Sequence, residues 1–258
     1  MKIATYNVNG INARLPRLTE WLDEQKPDLV CLQELKGDGD RLPKKAIEDA
    51  GYTGMWLGQK AFNGVAILTP RGGELVERQS GLPGDPEDEQ SRYVEAELGD
   101  VIVASIYLPN GNPQPGPKFD YKLSWMERLL ARAEELFALE RPVVLAGDYN
   151  VIPTDDDVHS PAAMADDALT QPESRAAFRR LAAMGWTDAI RARFPTGKIW
   201  TYWDYQAGAW QRDAGLRIDH LMLSPVAADR LTNAGVDKEY RGREKASDHT
   251  PIWIELAD

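Results

Sequence analysis

Short apolar runs separated by Gly, Pro, Asn and Asp recur along the chain and predict buried β-strands. They are Ile3 to Tyr6, Leu29 to Leu32, Val65 to Leu68, Val94 to Leu98, Val101 to Leu108, Val143 to Ala146, Leu221 to Leu223 and Ile252 to Leu256. Other stretches carry an apolar stripe at helical spacing. Leu15, Leu18 and Leu22 predict a first helix with Pro16 near its start, where a missing N–H costs least. Phe119, Leu123, Met126, Leu130, Ala133 and Phe137 predict a long second one. Thr170 with Glu173 three residues later reads as a capping box opening a third, through Phe178 and Leu181. Many strands with few helices predict sheets packed on each other and covered outside by helices. No linker-like stretch or internal repeat interrupts the pattern, so a single domain over residues 1–258 is expected.

The polar residues that break this pattern sit at strand ends. Asn7 closes the first run, Glu34 follows Leu32, Tyr107 and Asn110 close another, and Asp148 with Asn150 follow Val143 to Ala146. Asp219 instead precedes Leu221 to Leu223, and Asp248 with His249 precede Ile252 to Leu256. If those two strands run antiparallel to the others, their beginnings share a rim with the others' ends, and all these residues face one cleft.

Composition narrows what such a cleft can do. Thirty basic residues against 41 acidic ones give a net charge of −11, which argues against a protein coating nucleic acid non-specifically but not against one gripping it locally. The single cysteine, Cys31, lies inside an apolar run and reads as a buried, inert thiol. With no apolar run of the ~20 residues a membrane span needs and no secretory pattern at the N-terminus, a cytoplasmic protein is expected.

The candidate cluster is rich in oxygen: carboxylates from Glu34, Asp148, Asp219 and Asp248, amides from Asn7, Asn110 and Asn150, a phenol and an imidazole. Hard cations such as Mg²⁺ take oxygen ligands and are held by one or two carboxylates, and Glu34 is the first choice among them. Three histidines without His-Glu-x-x-His or paired-Cys spacing disfavour zinc. A Gly-x-Ser-x-Gly elbow and a phosphate loop ending in Gly-Lys-Ser/Thr are both missing. Cleaving a phosphodiester with metal assistance needs an activated water, charge compensation on the phosphoryl oxygens and help for the leaving oxygen. Asp148 with Asn150 suits the first role. His249 oriented by Asp219 suits contact with a phosphate oxygen. Taken singly, Asp248-His249 also reads as a turn before a strand, and Gly147-Asp148 as an ordinary turn.

Together these residues resemble exonuclease III and the related apurinic/apyrimidinic endonucleases, within the deoxyribonuclease I-like phosphodiesterases. The matching segments are Tyr6-Asn7-Val8-Asn9-Gly10, Leu32-Gln33-Glu34, Gly64-Val65-Ala66, Tyr107-Leu108-Pro109-Asn110, Gly147-Asp148-Tyr149-Asn150, Arg217-Ile218-Asp219 and Ser247-Asp248-His249, in family order. Gly81 to Asp85, Pro153-Thr154-Asp155 and Gly215-Leu216-Arg217 look like the bacterial branch. The resemblance implies an α/β fold, a four-layered sandwich of two packed mixed β-sheets flanked by helices, and a Mg²⁺-dependent DNA-repair nuclease, with Mn²⁺ as a substitute cation. Its implied substrates are duplex DNA with abasic sites or 3′ ends; no membrane partner is expected, and the protein is expected to be a monomer. It assigns metal binding chiefly to Glu34, with Asn7, Asp248, Asp148 and Asn150 close by. Asp148 and Asn150 match the water-activating and orienting positions, Tyr107 and His249 the phosphate contacts, and Asp219 the partner of that histidine.

Substrate grip is expected from Asn110, from the aromatic segment Trp200 to Trp210 with Tyr202 and Trp203 foremost, and from basic residues. A core strand and turn would account for some of these aromatics. Tyr202 stands where bacterial relatives carry Trp. Arg92, Lys118 and Lys122 match basic family positions, and Arg191, Arg193, Lys198, Lys238, Arg241, Arg243 and Lys245 predict a locally positive rim. Asp155 to Asp157 reads as a solvated acidic loop. Between about residues 158 and 170 the chain is shorter than the bacterial pattern. Two alternatives are a sister phosphodiesterase acting on RNA, phosphoinositide or sphingolipid, and an acidic adaptor that has kept the fold without the catalysis.

Overall fold

The computed structural model describes residues 1–257. In chain order the elements are β1 (Lys2–Asn7), α1 (Ile11–Gln25), β2 (Leu29–Gln33), α2 (Lys44–Asp49), β3 (Tyr52–Leu57), β4 (Val65–Pro70), β5 (Val76–Ser80), β6 (Tyr93–Leu98), β7 (Val101–Tyr107), α3 (Pro117–Phe137), β8 (Val143–Asp148), α4 (Pro172–Ala183), β9 (Thr187–Asp188), α5 (Ala189–Arg193), β10 (Asp219–Leu223), α6 (Pro225–Asp229), β11 (Leu231–Val236) and β12 (Ile252–Leu256). They form two six-stranded sheets, ordered β11-β12-β1-β2-β4-β3 and β5-β6-β7-β8-β10-β9. Each is built around a parallel pair flanked by antiparallel strands: β1 beside β2 in one sheet, β7 beside β8 in the other.

Period-two alternation divides each central strand between two faces. Ile3, Leu29, Cys31, Val103, Val144, Ala146, Leu221 and Leu223 point into the space between the sheets and are fully buried. The opposite faces turn outward onto helices. Ala4, Tyr6, Val30 and Leu32 meet Leu18, Trp21 and Leu22 of α1. Ile102, Ala104, Ile106 and Leu145 meet Trp125, Met126 and Leu129 of α3 and Phe178 of α4. Four layers result, as the sequence implies. Each such aliphatic side chain removed from water stabilises the fold by about 1.5–3 kcal/mol before entropy is counted.

Followed toward one end, the inner face changes from apolar to polar: Ile3, Thr5, Asn7 along β1; Leu29, Cys31, Gln33 along β2; Val103, Ser105, Tyr107 along β7; Val144, Ala146, Asp148 along β8. Thr5, Gln33 and Ser105 tie the sheets together just below the mouth. Thr5 Oγ1 donates to Gln33 Oε1 at 3.1 Å, Gln33 Nε2 to Ser105 Oγ at 3.1 Å, and Ser105 Oγ to the Leu32 carbonyl at 3.0 Å. Both antiparallel reversals expected from the sequence are present. The start of β10 lies beside the end of β8, with Asp219 opposite Asp148, and β12 enters beside the end of β1, with Ile252 opposite Thr5.

Several local expectations are corrected. Pro16 is not near the start of α1 but in its second turn, where it deprives the Asn12 carbonyl of a helical donor. Thr170 and Glu173 make no capping box: α4 opens at Pro172 after Gln171, and Thr170 Oγ1 donates to the Asp167 carbonyl instead. A capping box does form at Thr154 and Asp157. Asp157 is not part of a solvated acidic loop; it is buried against Arg217 and Arg191, each at 2.6 Å. Gly147 and Asp148 are strand, not turn. A Cβ on Gly147 would stand 1.9 Å from the Ile106 carbonyl oxygen on β7, so only glycine allows this approach.

Candidate active site

At the polar mouth the strand ends deliver their side chains to one point. Asn7 Nδ2 donates to Glu34 Oε1 and to Asp148 Oδ2, both at 2.9 Å, joining the two sheets. Glu34 adopts a left-handed backbone, φ +54°, rarely taken by a non-glycine residue. Its second oxygen lies 2.8 Å from Lys36 Nζ. Burial works against the Glu34 carboxylate, but Lys36 and Asn7 outweigh it and hold its pKa below the ordinary value.

Asp148 is buried beside Asp219. The Asn150 backbone N–H donates to Asp148 Oδ1 at 2.9 Å, and Asn150 Nδ2 donates to the Leu108 carbonyl at 2.9 Å. Asn110 Nδ2 in turn donates to Asn150 Oδ1 at 3.0 Å. Burial, reinforced by the charge of Asp219, raises the Asp148 carboxyl well above the usual carboxylate range, with His249 pulling the other way. His249 Nδ1 lies 2.8 Å from Asp219 Oδ2, and its Nε2 lies 3.8 Å from Asp148 Oδ2. Burial alone would depress this imidazole; Asp219 and Asp148 reverse the effect and raise its pKa. Tyr202 stacks edge-on against the ring, centroids 5.0 Å apart.

Asp248 accepts from Asn9 Nδ2 at 2.9 Å. Tyr107 neighbours Asp148 across the β7–β8 ladder, and burial with Glu34 and Asp148 raises its phenol far above its ordinary value. The cleft formed here is a cavity of about 540 Å³ lined by Glu34, Tyr107, Asn110, Asp148, Tyr202 and His249 among others. A second cavity of about 270 Å³ adjoins it at Asn110 and is lined by Arg92, Lys118 and Tyr121. Arg92 stacks over the Tyr107 ring at 4.7 Å and donates to Gln90 and the Tyr107 carbonyl.

The donor set suits a divalent cation. One ligand atom each from Glu34, Asp148 and His249 lie within 4.8 Å of one another, and beside them Asn7 Oδ1 and Asp248 Oδ1 both accept from Asn9, through its backbone N–H and its Nδ2 respectively. Two carboxylates in so small a volume repel each other unless a cation lies between them, and oxygen-dominated ligation favours a hard ion.

Other expected contacts fall elsewhere. Trp203 does not reach the cleft: it is 0% exposed, its indole N–H donates to Asp213 at 3.0 Å, and it packs on Trp210. Lys122 is also fully buried and is not a surface phosphate contact; its amine donates to the carbonyls of Asn150 at 2.5 Å and Asn110 at 3.1 Å. Burial lowers that amine to about 7 despite Asp148 and Asp167. Much of the positive rim is spent on internal pairing. Arg191 binds Asp157, Arg241 the Trp203 carbonyl, Arg243 binds Glu20 and Glu24, and Lys238 binds Asp213. Arg193, Lys198 and Lys245 remain exposed.

Three supporting residues escaped the strand-end reading. Lys36 lies beyond the end of β2, where strand alternation no longer applies, and its own left-handed backbone, φ +53°, accompanies its pairing with Glu34. Thr201 Oγ1 accepts from the N–H groups of Ile218 and Asp219, both at 3.1 Å, and so fixes the start of β10. Ser247 Oγ donates to the Asn7 carbonyl at 2.7 Å and locks the turn carrying Asp248 and His249.

A four-layered α/β sandwich with carboxylates, amides and a carboxylate-bound imidazole at one mouth is the build of a metal-dependent phosphoesterase. The chain belongs to the Endonuclease/Exonuclease/phosphatase family, which matches residues 4–249. It is similar to exodeoxyribonuclease III of Haemophilus influenzae, with 32% identity over 272 aligned residues covering 99% of this chain and 100% of the relative. Among solved structures, an AP endonuclease from Archaeoglobus fulgidus superposes with a TM-score of 0.95 at 34% identity, each chain covered completely. The 3′-5′ exonuclease NExo from Neisseria meningitidis superposes with a TM-score of 0.94 at 37% identity, again over the whole of both chains. Among the described residues no helix is long and apolar enough to cross a membrane.

Proposed function

We propose that this protein is a Mg²⁺-dependent DNA-repair phosphodiesterase that incises duplex DNA beside abasic sites and trims 3′ ends. The observation that carries the reading is the meeting of Glu34, Asp148 and His249 at one point of the cleft, within 4.8 Å of one another. The names of its relatives agree: exodeoxyribonuclease III, an AP endonuclease, and a Neisseria 3′ phosphatase solved with a product DNA hairpin. The adaptor alternative leaves the clustered carboxylates without a purpose.

Glu34 is the principal ligand for the cation, with Asn7, Asp148, Asn150 and Asp248 around it; when bound, the ion offsets charge on the phosphoryl oxygens. Asp148, its basicity raised by burial, takes the proton from the attacking water, and Asn150 orients that water. His249 donates from Nε2 to a phosphate oxygen while Asp219 fixes the ring through Nδ1. The Tyr107 phenol, neutral at working pH, is a further donor to the phosphate. Arg92 and Lys118, beside Asn110, hold the backbone farther along the strand.

Next to this machinery Met164, Leu169, Leu216, Ile218 and Tyr202 form an apolar wall of the cleft. A deoxyribose that has lost its base can rest there, whereas an intact nucleotide brings polar base edges. Two of these residues come from the shortened 158–170 segment. We assign action as a monomer in the cytoplasm, on DNA rather than on a membrane lipid.

A competition experiment tests the substrate. Purified protein with Mg²⁺ receives an abasic duplex together with matched RNA, a phosphoinositide and sphingomyelin. Incision of the abasic strand at least about 100-fold faster than turnover of the others supports the reading, since each 1.4 kcal/mol of discrimination is tenfold. Preferential hydrolysis of RNA or lipid replaces it with the sister activity.

A further inference from the structure

Beneath the cleft a lysine is buried between the two loops that carry its amides. Lys122 lies on the inward stripe of α3 with Phe119 and Met126 and is 0% exposed. Among the described residues it forms no ion pair. Its amine donates instead to two backbone carbonyls, those of Asn110 after β7 and Asn150 after β8. The side chains of the same two asparagines bond to each other above it, Asn110 Nδ2 to Asn150 Oδ1 at 3.0 Å. The chain runs directly over the lysine stem: a Cβ on Gly111 would stand 2.6 Å from Lys122 Cδ.

Asn150 needs an external hold. Its backbone is left-handed, φ +46°, and its N–H and side chain are already committed to Asp148 and Leu108. Its carbonyl is the remaining polar group, and Lys122 takes it. Burying an amine with no carboxylate partner costs folding free energy that a methionine of similar volume would not. A loss of that kind at a site margin is explained by placement of the neighbouring groups.

We propose that Lys122 is a positioning residue for phosphodiester cleavage, setting the separation of the Asn110 and Asn150 loops so that Asn150 presents its amide beside Asp148. The proposal rests on the incision activity proposed above. Lys122 touches neither substrate nor metal and acts through Asn150.

The test uses Lys122→Met and Lys122→Gln, each in the parent protein and in Asn150→Ala, with two readouts. The first is the pair of side-chain amide resonances of Asn110 and Asn150 in metal-free, ¹⁵N-labelled protein. The second is steady-state incision of an abasic duplex. In the parent background Lys122→Met should shift both amide pairs and lower kcat roughly 10- to 100-fold while KM stays within about 3-fold. Lys122→Gln, which keeps a donor, should recover part of that loss. In the Asn150→Ala background Lys122→Met should cost less than about 3-fold more, because the group it positions is gone.

A kcat within about 3-fold of parent in Lys122→Met overturns the proposal, as does an equal loss in both backgrounds. Failure of both Lys122 variants to fold overturns it too, making the lysine a folding residue. If the parent protein does not incise abasic DNA, the functional reading fails on its own, and unmoved Asn110 and Asn150 amides then decide against positioning independently.

Discussion

Acidification from about pH 7.5 to about pH 5 should remove about 2 kcal/mol of folding stability through His220 alone, and His220→Gln should abolish that share. His220 is fully buried next to Asp219 on β10, with Nδ1 3.0 Å from Arg217 Nη1 and Nε2 3.1 Å from the Val151 carbonyl. Its ring packs on Phe178 at 4.7 Å and Tyr149 at 5.4 Å. Burial, then the charge of Arg217, lower the imidazole from 6.5 to about 4, with Asp188 pulling back. The folded protein therefore keeps this ring neutral where the unfolded chain protonates it. The contribution is complete above the unfolded pKa near 6.5 and is lost as pH falls toward 4. At about pH 5 protonation favours the unfolded chain by a factor of about 30, which is about 2 kcal/mol.

Urea unfolding of metal-free protein at the two pH values measures this, in parent and variant. Glutamine keeps a donor for Val151 but forfeits the ring contacts, so the variant starts less stable; only the change with pH is compared. Other groups, including His249 and Asp148, titrate in both proteins and cancel in the difference. Equal losses in the two proteins, within about 0.5 kcal/mol, would refute the reasoning. The result also bears on catalysis, because Arg217, held by Asp157 and Asp188 at 2.6 and 2.7 Å, anchors the strand that presents Asp219.

Asp219→Asn removes the carboxylate that raises the His249 pKa, so His249 in the metal-free variant should titrate lower by NMR, the alkaline limit of incision should move down in pH, and kcat should fall roughly 100-fold. An unchanged His249 titration would contradict the pairing. Glu34→Gln should raise the Mg²⁺ concentration for half-maximal incision more than about 10-fold, with the melting temperature nearly unchanged; an unaltered Mg²⁺ requirement would move the metal elsewhere. Gly147→Ala puts a Cβ 1.9 Å from the Ile106 oxygen where ordinary contact starts at 3.4 Å. The strands must part by about 1.5 Å, so kcat should fall roughly 100-fold, and a variant with parental kcat would show that Asp148 tolerates the shift.

The candidate site was legible in the sequence because its residues interrupt apolar strands at their ends, where a side chain cannot be explained by packing. Asp219 and His249 were harder, since they come before their strands, and only the antiparallel reversal brings them to the same rim. Edge strands left little trace. β5 is Val-Glu-Arg-Gln-Ser and mostly exposed, and β11 mixes Thr, Asn and Gly, so neither shows the apolar run of a central strand. The aromatic segment misled because Trp203 and Tyr202 adjoin in sequence yet face opposite ways, one into the packing against Trp210 and one onto His249. Lys122 looked like a phosphate contact. Its place three residues after Phe119 and four before Met126 puts it on the buried stripe of its own helix, a signal that points inward rather than to DNA.

The central claim is that one cation-dependent cleft cuts DNA beside a missing base. A 5′-labelled duplex with a single abasic site, incubated with the protein in Mg²⁺ and in excess chelator, tests it most directly. The account predicts one product ending at the lesion, followed by stepwise shortening from 3′ ends, with both lost in chelator. Incision that persists without free metal, or an abasic strand left intact in Mg²⁺, would contradict it.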